Sequence, residues 1–303
     1  MTPPPPTPRL RLHDYVGEEH LRALLQLALA EDLGPARRDV TSELVVDADE
    51  RAAVRVVARE AGVISGLSAV SALLNVFDLD VRVVSGAEDG AVIAAGQSVL
   101  SLSGNLRALL AVERTLLNLL SRMSGIATET SRLTRLIQGT QAVLCDTRKT
   151  LPGWRGLDKY AVACGGGVSH RMGLYDAVLV KDNHLASIPD DELESRLKSW
   201  ITFAKDGSSK LEFFEVEIDR LEQLSAMLAA GVDIVLLDNM PHEVMRQAVA
   251  ERDRLAPGVL LEASGGITEK TLRAVAETGV DRISMGALTH SVRGLDLGLD
   301  RDE

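Results

Sequence analysis

Cysteine is almost missing from this sequence: Cys145 and Cys164 are the only two in 303 residues, and they match no metal-ligand spacing. That excludes a disulfide framework and fits a reducing cytoplasm, where the chain is expected to work. Long apolar runs are missing too. Stretches such as residues 24–30 are far too short to span a bilayer, so no membrane partner is expected. Basic residues are in deficit, 33 Lys and Arg against 44 Asp and Glu, for a formal charge of −11. Nucleic acid is therefore not an expected partner, because binding a phosphate backbone needs a spread of cations. The sequence has no Walker loop, dinucleotide fingerprint or nucleophile elbow. Proline crowds the start, where Pro3 to Pro6 and Pro8 predict a loose tail over 1–17 without the apolar core of a secretory signal.

What is present is globular. A hydrophobic share of 46% and this length allow two ordinary domains or one large one, with a sizeable core. The first part reads as mixed α and β. Leu21, Leu24, Leu25, Ala28 and Leu29 have helical spacing over 18–32, with a stop near Gly34-Pro35. A strand is predicted around 53–57, a helix over 67–77 and short strands over 81–102. A long helix over 106–138 is predicted with an interruption at Ser124-Gly125, and the domain boundary is placed there, giving an N-terminal domain over 18–128.

The rhythm then changes. Short apolar runs end in polar residues: 142–145 into Asp146, 177–180 into Lys181, 211–216 into Glu217, 234–237 into Asp238, 259–261 into Glu262, and 282–284 into Met285-Gly286. Buried strands alternating with helices, at least six times, predict parallel units closing or nearly closing into an α/β barrel over 129–290. The segment 291–303 is expected to pack back on the N-terminal domain.

In such barrels the chemistry sits at the carboxyl ends of the strands, where these clusters fall. Arg148-Lys149, His170-Arg171 and Lys181 gather cations in an acidic chain, which fits a small anionic ligand; a surface salt-bridge cluster is the bland alternative. Gly165-Gly166-Gly167 is costly to order, so a close backbone approach or a mobile loop is expected there. Arg171 favours a carboxylate, and His170 could donate to the same anion. Ser264, Gly265 and Gly266 before a helix form a candidate phosphate cradle, with Gly286 as its second half; an ordinary tight turn is the alternative. Lys181 could be a Schiff-base nucleophile or an anion clamp. Glu217 and Asp238 could hold Mg²⁺ on a diphosphate, bind ribose hydroxyls, or merely pair with Lys149 and Lys181.

The ordered motifs resemble one family. Residues 31–34, 39–42, 113–118, 124–128, 146–150, 165–171, 181–184, 215–217, 237–239, 262–266, 279–281 and 286–291 are similar in order to the quinolinate phosphoribosyltransferases, over about 28–299. The resemblance implies an N-terminal α/β sandwich domain plus a parallel α/β barrel with fewer than eight strands, the type II phosphoribosyltransferase fold. It implies decarboxylating transfer from phosphoribosyl diphosphate to quinolinate, with Mg²⁺, giving nicotinate mononucleotide, diphosphate and CO₂ in NAD biosynthesis. It also implies a homodimer or a multiple of one, with Arg114 reaching into the partner subunit's site. By the same resemblance Arg114, Arg148, His170 and Arg171 line the quinolinate pocket. Lys149, Lys181, Glu217 and Asp238 meet the phosphoribosyl diphosphate and carry the catalysis, with Glu217 and Asp238 on the metal directly or through water or substrate. Ser264, Gly265, Gly266 and Gly286 bind phosphate. The chain departs from the pattern at Ser169, where many members carry Asn, and at Trp154, near a loop that is often less bulky. Three rivals are a paralogue with another acceptor, an aldolase-type barrel using Lys181, and a barrel that only binds an anion.

Overall fold

The computed structural model describes residues 10–206 and 211–302, so the proline tract lies outside the described residues. Among those residues no helix is long and apolar enough to cross a membrane. The chain forms two compact units.

The first unit runs through Ser131 and takes in Leu151–Gly166 and the segment from Ser291 onward. Its antiparallel sheet has the order Leu297–Arg301, Arg51–Ala58, Ser98–Asn105, Val81–Gly86. The segment after Ser291 thus returns as a strand, with Val54 opposite Arg301 and Ala58 opposite Leu297. Helix Val70–Phe77 buries Val70, Leu73, Leu74 and Phe77, the spacing of a single helical face. Residues 10–17, read from the sequence as loose tail, contain a 3₁₀ turn at Leu12–Asp14 with Leu12 and Val16 buried.

Helix Leu106–Leu136 is continuous, so the interruption expected at Ser124-Gly125 is absent. Those residues are small for a different reason. The Ser124 hydroxyl accepts from the Ser65 N–H at 3.0 Å and donates to the Ser65 carbonyl at 3.2 Å. A Cβ on Gly125 would lie 2.2 Å from the Arg293 carbonyl oxygen, so glycine here admits a passing chain.

The segment Leu151–Gly166, expected within one continuous barrel stretch, clusters with the first unit instead. Its helix Arg155–Cys164 is anchored by polar contacts that the sequence pattern does not show. Fully buried Asp158 accepts from Arg122 Nε and Nη2 at 2.9 and 2.8 Å. The Tyr160 hydroxyl donates to Asp89 Oδ2 at 2.9 Å, and Asp89 also accepts the N–H groups of Leu67 and Ser68. Tyr15 meets the Tyr160 ring edge-on at 5.6 Å.

The second unit holds Arg132–Thr150 and Gly167–His290. Six parallel strands lie in the order Val143–Cys145, Arg282–Ser284, Leu260–Ser264, Ile234–Asp238, Phe214–Ile218, Val178–Val180. This is the parallel α/β sheet of fewer than eight strands that the sequence leads one to expect. A strand buried on both faces such as Ile234–Asp238 reads as an apolar run ending in its charged residue, which is why it was visible. Phe214–Ile218 is equally buried but carries Glu215 and Glu217 within it.

Register decides which side chains share a face. Glu217 stands opposite Leu236, Leu236 opposite Glu262, and Glu262 opposite Arg282, while Asp238 stands opposite Ser264. Alternation then places Glu215 with Glu217, Glu262 with Ser264, and Arg282 with Ser284 on one side of the sheet.

Gly125→Ala should lose about 1–3 kcal/mol of stability, because the added carbon meets backbone. Gly258→Ala, where a Cβ meets nothing within 4 Å, serves as the control. Urea unfolding followed by circular dichroism checks the difference; equal midpoints would show that the chain past Arg293 yields.

Candidate active site

A cavity of about 520 Å³ in the second unit is lined from the carboxyl ends of all six strands. It brings together Arg148, Lys149, His170, Arg171, Lys181, Glu217, Asp238, Ser264, Gly265 and Gly266. Two residues read from the sequence as site residues are absent from this lining. Gly286 sits under the Lys149 stem, where a Cβ would lie 2.7 Å from Lys149 Cδ; its smallness makes room for the lysine. Arg114 belongs to the first unit, is well exposed, and lines a separate recess with Leu24, Asp32 and Trp154.

Each charged side chain is placed by local chemistry. The Lys149 N–H donates to Thr147 Oγ1 at 3.0 Å, and its carbonyl accepts from Thr289 Oγ1 at 2.8 Å. Fully buried Asp146 accepts the His170 N–H at 2.9 Å and the Ser169 hydroxyl at 3.4 Å, which fixes the end of the triple-glycine loop. Asp176 accepts the N–H groups of Met172 and Gly173 at 2.5 and 2.8 Å and closes the following turn. Burial, and then the neighbouring Arg148 cation, pull the Arg171 guanidinium below its ordinary value. Two like charges held this way are relieved by an anion.

Lys181 Nζ donates to Glu217 Oε2 at 3.0 Å and is half-exposed. A Schiff-base lysine is instead activated by desolvation or a neighbouring cation, so this geometry favours the anion clamp. Asn239, at φ 52°, donates from Nδ2 to Asp238 Oδ2 at 2.8 Å. Gly265, at φ 90°, faces the same amide: its Cβ would lie 2.3 Å from Asn239 Oδ1. Only glycine satisfies both that backbone and that approach. Ser264-Gly265-Gly266 thus forms a bare main-chain turn at the end of its strand.

A buried group beneath these residues escaped the sequence reading. His170 Nε2 lies 3.0 Å from Glu215 Oε2 and 3.4 Å from Glu262 Oε1, and both carboxylates are fully buried. Arg282 Nε donates to Glu262 Oε2 at 2.7 Å. Burial pushes the Glu215 carboxyl up, whereas His170 and Arg282 hold Glu262 low against the same burial. Burial lowers His170 and the two carboxylates raise it further, on balance to about 9. Against a second ring proton stands the Arg171 N–H, which donates to His170 Nδ1 at 2.8 Å. Two hydrogens do not fit between nitrogens that close, so this ring carries one proton, on Nε2. The available signal was Glu215 itself, two places from Glu217 and therefore on its face.

Neither cysteine is built to react. Both are buried, and burial pushes the Cys164 thiol up to about 11 and Cys145 higher still.

A parallel α/β unit with clustered cations, two carboxylates and a glycine turn at its strand ends defines an enzyme-like site for a phosphorylated, multiply anionic ligand. Residues 39–124 and 126–300 match the N-terminal and C-terminal domain models of quinolinate phosphoribosyl transferase. A carboxylating nicotinate-nucleotide pyrophosphorylase of Mycobacterium leprae is 45% identical over 281 residues, covering 92% of this chain and 96% of that one. A probable enzyme of the same name from Bacillus subtilis is 39% identical, covering 92% and 93%. The solved nicotinate-nucleotide pyrophosphorylase of Francisella tularensis superposes with a TM-score of 0.86 at 35% identity, covering 95% and 98%. The chain belongs to the quinolinate phosphoribosyl transferase family.

Two outcomes follow from the site's chemistry. Inorganic diphosphate at 100 times its Kd should stabilise the protein by about 2.7 kcal/mol in a thermal shift, with a smaller gain in Lys149→Ala and Lys181→Ala. An unchanged Tm would exclude anion binding here. Iodoacetamide at neutral pH should leave both thiols unmodified by intact mass, and modification of the folded protein would contradict their burial.

Proposed function

We propose that this chain catalyses decarboxylating phosphoribosyl transfer from phosphoribosyl diphosphate to quinolinate, giving nicotinate mononucleotide, diphosphate and CO₂ for NAD biosynthesis in the cytoplasm. The observation that carries the acceptor is Arg148 beside the buried Arg171 in a cavity that also holds Lys149, Lys181 and the Ser264–Gly266 turn. A dicarboxylate neutralises the two arginines, while the lysines and the main-chain turn suit the donor's phosphates.

In the transfer, the ribose C1–oxygen bond to diphosphate breaks as the pyridine nitrogen forms its bond to C1. Positive charge builds on the sugar, where Glu217 and Asp238 offer negative charge, and Lys149 and Lys181 meet the departing diphosphate. The donor set fits Mg²⁺, since two carboxylates supply hard oxygen ligands in the cavity. Glu217 and Asp238 would hold the ion directly, through water or through the substrate, and it would neutralise diphosphate charge. Loss of CO₂ leaves the electron pair at ring carbon 2, next to the newly formed pyridinium, and a proton then takes its place. Positioning and electrostatics suffice, which suits a site of cations without an activated thiol. The assembly is a homodimer or a multiple of one in which Arg114 of the partner subunit completes the quinolinate pocket; the exposure of this arginine supports that arrangement.

Turnover with quinolinate, phosphoribosyl diphosphate and Mg²⁺ should release CO₂ and nicotinate mononucleotide, with little product from nicotinate. Product from neither acceptor, in folded protein that binds the donor, would favour a paralogue with a different acceptor. Arg148→Ala and Arg171→Ala should each weaken quinolinate binding by about 2–3 kcal/mol, measured by calorimetry. Lys181→Ala should chiefly impair use of the donor.

A further inference from the structure

Both ring nitrogens of His170 are engaged inside the protein. Nδ1 accepts the Arg171 N–H at 2.8 Å, and Nε2 faces Glu215 and Glu262 at 3.0 and 3.4 Å. The ring is nine-tenths buried and meets Phe213 edge-on at 5.4 Å, while Arg282 Cζ lies over the same phenyl ring, 5.9 Å from its centre. Other charged groups close by include Asp146, which accepts the His170 main-chain N–H, and Arg171, next to it in the chain and itself near Arg148.

Burying two carboxylates beside each other is expensive, and the cost is offset here by His170 Nε2 within ion-pair distance of both and by the Arg282 guanidinium hydrogen-bonded to Glu262. Glu215 Oε1 and Oε2 and Glu262 Oε1 make no hydrogen bond among the described residues. A fully buried polar group of this kind fixes the geometry of whatever it holds. What it holds is Arg171. The residue's main chain is tied to Nδ1, and its guanidinium donates from Nη1 to the Ala177 carbonyl at 3.4 Å.

We infer that Glu215, Glu262 and Arg282 are positioning residues: they hold the His170 ring, and through Nδ1 the ring holds the Arg171 main chain, so that the acceptor's guanidinium clamp is set before substrate arrives. The proposed quinolinate activity supplies only the identity of the acceptor; the cluster stands on its own geometry. His170 thereby acts through Arg171. His170, Glu215 and Glu262 also bring ligand atoms within 4.8 Å of one another, as a buried metal would require. The Arg282 cation already on Glu262 argues for the proton instead.

The test is ¹⁵N-histidine NMR of the full chain, with His170 assigned by comparison with His170→Gln. At pH 7.5 the wild-type ring should show a single proton on Nε2 and a hydrogen-bonded Nδ1. In Glu215→Gln and Glu262→Gln that signature should shift, and the KM for quinolinate should rise at least tenfold while the KM for phosphoribosyl diphosphate stays within twofold. A doubly protonated ring, ring signals untouched by either substitution, or equal rises in both KM values would overturn the inference. So would a tightly bound metal ion, found by elemental analysis, whose removal by EDTA moves the His170 signals. If the glutamine variants do not fold, the wild-type spectrum still decides. Absence of any quinolinate turnover would defeat the proposed activity and leave the ring signals to judge the cluster.

Discussion

Every second side chain of a parallel strand faces the same side of its sheet, so a carboxylate at a strand's carboxyl end brings the residue two places back with it. In Phe214–Ile218 that rule ties Glu217, in the cavity, to fully buried Glu215 beneath it. In Leu260–Ser264 it ties Ser264 of the phosphate turn to Glu262, and in Arg282–Ser284 it ties Ser284 to Arg282. The site therefore has two storeys. The upper meets solvent and substrate, and the lower is a buried set of charges, of which His170 and Glu262 still edge the cavity.

Charge balance explains the unusual placement of cations in an acidic chain. Glu262 is neutralised by Arg282, and the proton on His170 Nε2 serves the space between Glu215 and Glu262. Above them Arg171 and Arg148 repel each other, and the anion that relieves them comes from outside. A site built in this way is preorganised: its charges are held by main-chain contacts to Asp146, Asp176 and Ala177 before any ligand binds.

The first unit shows the limits of reading small residues as breaks. Ser124-Gly125 has the composition of an interruption, yet helix Leu106–Leu136 runs through it. Isolated glycine in a helix costs only about 1 kcal/mol, which the packing of a 31-residue helix outweighs. Its place is set by Arg293, distant in sequence and close in space. Helix Arg155–Cys164 makes the same point, since its membership is decided by Arg122, Asp89 and Tyr15 rather than by its own pattern.

The apolar runs of the second half, with charged residues at their ends, were enough to specify parallel strands and to place Arg148, Lys149, Lys181, Glu217 and Asp238 at one end of a sheet. Those properties are local, because burial on both faces writes itself into consecutive residues. The motif order carried the family as well. Tertiary structure decided the rest. It placed Arg114 in a recess of the first unit, turned Gly286 into a space for the Lys149 stem, and directed both nitrogens of His170 inward. Each of these depends on strand register or on residues far apart in the chain, and neither spacing nor composition encodes which distant partner a side chain will meet.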